Sequence, residues 1–279
     1  MGFFDIFDPD ERRWRQEAKE EAREYRREAK EIMSEAKDLY DDYKDLKGDT
    51  QRAANKLNDF IRSHNDYKAN LLKELSSDIN VSIENFKRFN ISSRVISVPN
   101  ISSNYAPSVS SFSTSSFNQF NGSFNPISIV FSIFSDPYKD RDEALDQKYA
   151  AQEYLYKVEC ALSEMKILYE SLNNSRRYIE DEKSTLAQLM DKVRNLVNQL
   201  NAAMNRNSFT EKEARYMTGI SKIAEKIKST LEQRIINNSG DIDGNYKLYS
   251  DKIRELNNLI PAAPTISESS SWLERILTY

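Results

Sequence analysis

Cysteine is almost absent: Cys160 is the only one in 279 residues, so no internal disulfide framework and no cysteine-based zinc site can form. Histidine is equally scarce, with His64 alone. H-E-x-x-H is therefore missing, as are G-x-x-x-x-G-K-[ST], G-x-G-x-x-G and G-x-S-x-G. With 6 glycines and 7 prolines, the chain has few residues that break helices, a balance favouring long helices over a large globular core. Long apolar runs are missing too: the longest, around 127–134, is far below the ~18 residues of a spanning helix. The first residues lack the basic and apolar regions of a secretory signal, and Ile6 breaks the myristoylation pattern that Gly2 would begin. The expectation is a protein soluble as synthesised, cytoplasmic or exported by a signal-independent route. A net charge of -4 argues against a nucleic-acid binder, which needs a basic face to displace counterions.

What the chain has in quantity is charge, 30% of residues, laid over a heptad repeat. Asp8, Pro9 and Glu11 make a helix start, with a cap, a proline at the first position and a glutamate that bonds back. Ala18, Ala22, Tyr25, Ala29, Ile32, Ala36, Leu39, Tyr43 and Leu46 then alternate in steps of four and three, the spacing of a coiled-coil seam. Glu11–Arg15, Arg13–Glu17 and Arg27–Glu31 sit one turn apart and add ~0.2–0.5 kcal/mol each. Gly48 marks a candidate kink, yet the phase resumes at Ala53, Leu57, Phe60, His64, Tyr67 and Leu71, so one helix is predicted over 9–90. Asp136 and Pro137 repeat the opening device. A second helix over 136–206 carries Ala151, Leu155, Val158, Leu162, Met165, Tyr169 and Leu172, then Ile179, Leu186, Met190, Val193, Val197, Leu200 and Met204. Arg176 and Lys183 fall on that seam as polar exceptions. Further helices are expected within 208–260, the first opened by a capping box from Ser208 to Glu211. A linker and a terminal amphipathic turn follow over 261–279.

Between the long helices, residues 95–135 contain no Asp, Glu, Lys or Arg. Asn121-Gly122 is the dipeptide typical of a type I′ hairpin, whose central residues need positive φ. In that register Phe120 opposes Ser123, Phe117 opposes Pro126, and Phe112 opposes Phe131. Ile127, Ile129, Phe131 and Ile133 share one face, which Phe112 and Phe120 join. A small β-hairpin or irregular tongue is thus expected over 91–135, with Phe112, Phe117, Phe120, Phe124, Ile127, Ile129, Phe131, Ile133 and Phe134 meeting membrane or partner. Three alternatives stand open: disorder, packing against protein, and insertion into a bilayer. The absence of charge favours the last, since one Lys or Asp at bilayer depth costs ~2.5–3.5 kcal/mol. Short apolar clusters at both ends, Phe3, Phe4 and Phe7 in 1–8 and Trp272, Leu273 and Ile276 near the C-terminus, are candidate docking elements for the chain's own helices, a partner or a membrane surface.

Chemistry is harder to find. His64 occupies a seam position and reads as a packed residue. Cys160 lies off the seam with no histidine nearby. Ser239 to Gly244 has the outline of a calcium loop, but serine stands at both Ser239 and Ser250 where carboxylates belong. No catalytic, cofactor or metal residue is assigned, and no enzyme is expected.

The predicted fold is all-α: an elongated antiparallel helical hairpin or coiled coil, with C-terminal helices and the tongue between its long arms. This layout over 9–235 is similar to that of the α-helical pore-forming toxins of the cytolysin A and Bacillus tripartite-enterotoxin type, in which long helices carry a hydrophobic β-tongue. The resemblance implies a soluble form that releases the tongue into lipid, with homo-oligomerisation. The alternative is a coiled-coil scaffold or structural subunit whose tongue and apolar termini dock protein partners in a larger assembly.

Overall fold

Apolar residues returning every seventh position bury one stripe of a helix, and that stripe accounts for the architecture. The computed structural model describes residues 9–88, 136–267 and 270–278. It contains α1 (Pro9–Arg88), α2 (Pro137–Asn205), α3 (Glu211–Leu231), α4 (Gly244–Leu259) and α5 (Ser271–Thr278). The fold is all-α. Among the described residues the one pairing outside helices is an isolated bridge between Ile236 and Ile242, and no helix is long and apolar enough to cross a membrane. Residues 1–8 and 89–135, with Phe3, Phe4, Phe7 and every tongue position, lie outside the described residues.

α1 runs unbroken through Gly48. Thr50, seven residues after buried Tyr43, is itself buried, and its hydroxyl donates to the Leu46 carbonyl at 2.8 Å. The seam thus holds its phase across the glycine. The chain divides into two units, one built from 9–52 and 136–170, the other from 53–88 and 171–278.

In the first unit the seam is thin. Ala22, Ala29 and Ala36 of α1 and Ala144 and Ala151 of α2 are buried, and small side chains let the two backbones approach closely. Ala29, Met33 and Ala151 form a cluster flanked by Ile32 and Tyr154. Charge completes the pairing: Glu21 meets Arg141 at 3.7 Å, both terminal guanidinium nitrogens of Arg26 reach Asp140, and Glu28 meets Lys148 at 2.5 Å. The predicted one-turn pairs Glu11–Arg15, Arg13–Glu17 and Arg27–Glu31 are present on the outside.

These contacts overturn the antiparallel hairpin. From Glu21 to Glu28 is seven residues along α1, and from Arg141 to Lys148 is seven residues along α2 in the same sense. The second unit repeats the pattern, with His64 beside Glu182 and Glu74 accepting two bonds from Arg194 at 2.9 and 3.0 Å. Within each unit α1 and α2 are parallel. Heptad spacing is silent on direction.

In the second unit the chain reverses after α2 through Asn207, which takes a left-handed φ of 52°. The capping box lies two residues beyond the predicted one: the Thr210 amide donates to the Glu213 carboxylate at 2.8 Å. α3 then runs back along α2, bringing Thr230 to the level of Lys68. α4, capped by Asp243 accepting from the Asn245 amide at 2.9 Å, runs with α2, and Lys192 donates to the carbonyls of Asn257 and Ile260 at its far end. Leu186, Val193, Ile220, Ile227, Ile253 and Leu256 belong to the shared core.

The C-terminal cluster docks on its own chain. Leu273 and Ile276 are buried over Gly219, where an added Cβ would lie 2.9 Å from Leu273 Cδ1. Trp272 packs edge-on to Tyr216 at 5.5 Å, and Lys222 donates to the Leu277 carbonyl at 2.6 Å. Leu273 and Ile276 therefore pack on α3. Gly219→Val is expected to displace α5 at a cost of about 1–3 kcal/mol from overpacking. A red shift of the Trp272 emission would report it; unchanged emission and unchanged stability would count against this seating.

Candidate functional site

The same repeat that buries leucines also carries four polar side chains into the second unit. Seven residues after buried Leu57 comes His64, and four further on comes Lys68, in the row of Ile61 and Leu75. On α2, Ser175, Glu182, Leu189 and Leu196 form another buried seven-residue row. The first turn of α4 adds Tyr246 and the last turn of α3 adds Thr230. His64, Lys68, Glu182, Tyr246 and Thr230 are each 0–1% exposed.

Glu182 is the hub. His64 Nε2 lies 3.2 Å from its Oε2, the Tyr246 hydroxyl donates to the same oxygen, and Lys68 Nζ is 3.7 Å from Oε1. Lys68 also donates to the Tyr246 hydroxyl at 2.7 Å and to Thr230 Oγ1 at 3.5 Å, with its ammonium 4.7 Å from the centre of the Tyr246 ring. The Thr230 hydroxyl in turn donates to the Ile227 carbonyl at 2.7 Å. A carboxylate has no proton to give, so His64 must carry its hydrogen on Nε2. His64 Nδ1 is buried without a hydrogen-bond partner among the described residues.

The electrostatics follow from burial and from Lys68 and Glu182. Burial pushes the Glu182 carboxyl up, but Lys68 and the hydrogen bonds from His64 and Tyr246 outweigh it and hold the pKa at about 2. Burial lowers Lys68, with Glu182 opposing. Burial likewise lowers His64, and Lys68 adds to that against the pull of Glu182. Tyr246 is raised, first by burial and then by the carboxylate. At neutral pH Glu182 is the anion and His64 and Tyr246 are neutral, while Lys68 Nζ, 3.7 Å from the carboxylate and donating to the Tyr246 and Thr230 hydroxyls, is placed as the counter-cation. One positive and one negative charge balance inside a bundle of four helices.

Enclosed on all sides, these groups join α1, α2, α3 and α4 to one another. Thr230 is absent from the sequence reading, and so are Lys68 and Glu182, because a charged residue counts against a core position; the signal for these two was their place in buried seven-residue rows. The polar exceptions that the reading did single out lie elsewhere. Arg176 is exposed and pairs with Glu180 at 2.9 Å, and the Lys183 ammonium sits 5.6 Å from the Tyr67 ring centre. Cys160 is half-exposed. The calcium-like stretch is a turn: Asn237 Oδ1 accepts from the amides of Ser239 and Asp241, Asp241 accepts from Ser171, and Asp243 caps α4. Among the described residues no group of His, Cys, Asp and Glu is placed to hold a metal ion. No family model, curated protein or solved structure matches this chain.

Proposed function

We propose that this chain is a non-enzymatic coiled-coil scaffold, an α-helical subunit that positions protein partners. The observation that carries the reading is how the ionisable residues at helix contacts are used. In the second unit Lys68, His64, Glu182 and Tyr246 are consumed in holding four helices in register. In the first unit Arg26–Asp140 and Glu28–Lys148 do the same for two. Buried polar groups at seam positions are the best-attested device for setting coiled-coil register, and a fixed register is what a scaffold requires of its arms.

A second reading, engagement of a membrane by the tongue, is favoured by the absence of charge over 95–135. Deletion of that segment is a poor test, because it also removes the connection between α1 and α2. Liposome flotation and dye release by the full chain, beside Ile129→Asp, separate the two. The scaffold reading expects both proteins to stay off liposomes at every pH tested and to show the same oligomer mass. Dye release by the native chain that Ile129→Asp abolishes, with helical circular dichroism intact, would overturn the scaffold reading in favour of the membrane one.

A further inference from the structure

The outer face of α2 in the first unit carries a second feature that the seam does not explain. Tyr138, Tyr149, Tyr156 and Ile167 are 36%, 57%, 66% and 66% exposed. Their spacings of eleven, seven and eleven residues each bring the helix back to within about 20° of the same direction. Half-buried Leu145 lies on the same line. Single exposed apolar residues are ordinary, but four aligned along about 44 Å of one helix, with exposed Gln152 and Ser163 between them, make a surface of the kind that protein contacts cover. Tyrosine suits such contacts, since its ring is apolar and its hydroxyl tolerates a wet rim.

The rim identifies the partner's chemistry. Asp142, Asp146, Glu153, Glu159, Glu164 and Glu170 are exposed on the flanks of the stripe; Arg141 pairs with Asp142 at 3.0 Å and Lys157 with Glu153 at 2.6 Å, and against the other four acids stand Lys139 and Lys166. A second copy meeting this face through the same face would set carboxylate rows against carboxylate rows, and an anionic membrane would be repelled. We infer that this face of α2 docks a basic amphipathic helix of a partner protein, the apolar side of that helix lying along the tyrosines and its Lys/Arg rows against the acidic rims. The inference rests on the scaffold reading and names the kind of partner.

The test is fluorescence anisotropy with the full chain and two synthetic helical peptides of about 28 residues, the length of the stripe. Both have leucine seams; one is flanked by lysine rows, the other by glutamate rows. The lysine peptide is expected to bind, to weaken about tenfold or more as salt rises from about 0.05 to about 0.5 M, and to weaken about tenfold or more with Tyr149→Ala/Tyr156→Ala. Both tyrosines are exposed, so circular dichroism of that variant should be unchanged. Glu20→Ala/Glu24→Ala, which removes two exposed acids from α1 instead, should leave binding intact. Equal binding of both peptides, an unaffected tyrosine variant, or an equal loss from the α1 variant would overturn the inference. So would sedimentation showing a native dimer that the tyrosine variant dissolves, because a second copy would then cover the face. None of these outcomes touches the scaffold reading, which fails only if the native chain releases liposome contents.

Discussion

Glu182→Leu is expected to remove about 3–5 kcal/mol from the stability of the second unit, the usual cost of breaking a buried pair by deleting one partner. The loss comes less from the contact than from what stays behind. Lys68 would keep an ammonium in a 0%-exposed position with only the neutral Tyr246 and Thr230 hydroxyls beside it. His64 would have no acceptor for its Nε2 hydrogen. The companion Lys68→Met/Glu182→Leu removes both charges and is expected to recover most of the loss, since apolar replacement of a whole buried pair is often neutral or stabilising. Urea unfolding followed by helical circular dichroism at pH 7 measures both through the midpoint at constant slope. A loss below about 1 kcal/mol for the single variant, the range of an exposed pair, would show that Glu182 is not the electrostatic hub.

Acid is expected to weaken the second unit in two separate steps. His64 is held below its ordinary pKa of 6.5 when folded, so between that lowered value and 6.5 the unfolded chain binds a proton that the folded chain refuses. Stability is therefore full above about pH 6.5 and declines as pH falls through that window, with a slope of at most about 1.4 kcal/mol per pH unit for one proton. The geometry gives the reason: a second proton on His64 would have to sit on Nδ1, which has no buried acceptor, beside Lys68, with Lys183 also nearby and Glu182 the lone counter-charge. The Glu182 carboxyl, at about 2 when folded, contributes stability that is present above its unfolded value of about 4.3 and is lost as pH falls from there toward about 2. Because His64 is the only histidine, the slope between pH 7 and 5 can be assigned. His64→Gln keeps an N–H for Glu182 and cannot titrate, so its midpoint should stay flat over that range. Retention of the native slope by His64→Gln, or a folded-state NMR titration of His64 at or above pH 6.5, would refute this account.

The helices were legible because their signals are local. Asp-Pro before each long helix, the seven-residue return of Ala22, Ala29, Ala36 and Tyr43, and the amphipathic turn around Trp272 each depend on neighbours within a few residues. The same locality explains what was missed. The capping box was placed at Ser208 because both Ser208…Glu211 and Thr210…Glu213 fit the pattern, and only the geometry of the turn through Asn207 chose between them. On α1, Tyr25, Ile32, Phe60 and Tyr67 were read as the second row of the seam, yet they are half-buried, and the row through Ile61, Lys68 and Leu75 is the buried one. Periodicity restricts a seam to a stripe about two residues wide; the side of that stripe that is covered depends on the neighbouring helices, α2 in the first unit and α2, α3 and α4 in the second.

The direction of the α1–α2 pairing marks the same boundary. A heptad row reads alike from either end, so the sequence by itself determined that two long helices exist, where they begin and that a stripe of seven-residue period is buried on each. Direction was decided by contacts more than a hundred residues apart in sequence, Glu28 with Lys148 and Glu74 with Arg194, which form only in the parallel register. Tertiary structure likewise turned His64, Lys68, Glu182 and Tyr246 from isolated polar residues on three helices into one charge-balanced cluster. Burial is a property of the assembled bundle, and without it none of these side chains departs from its ordinary chemistry.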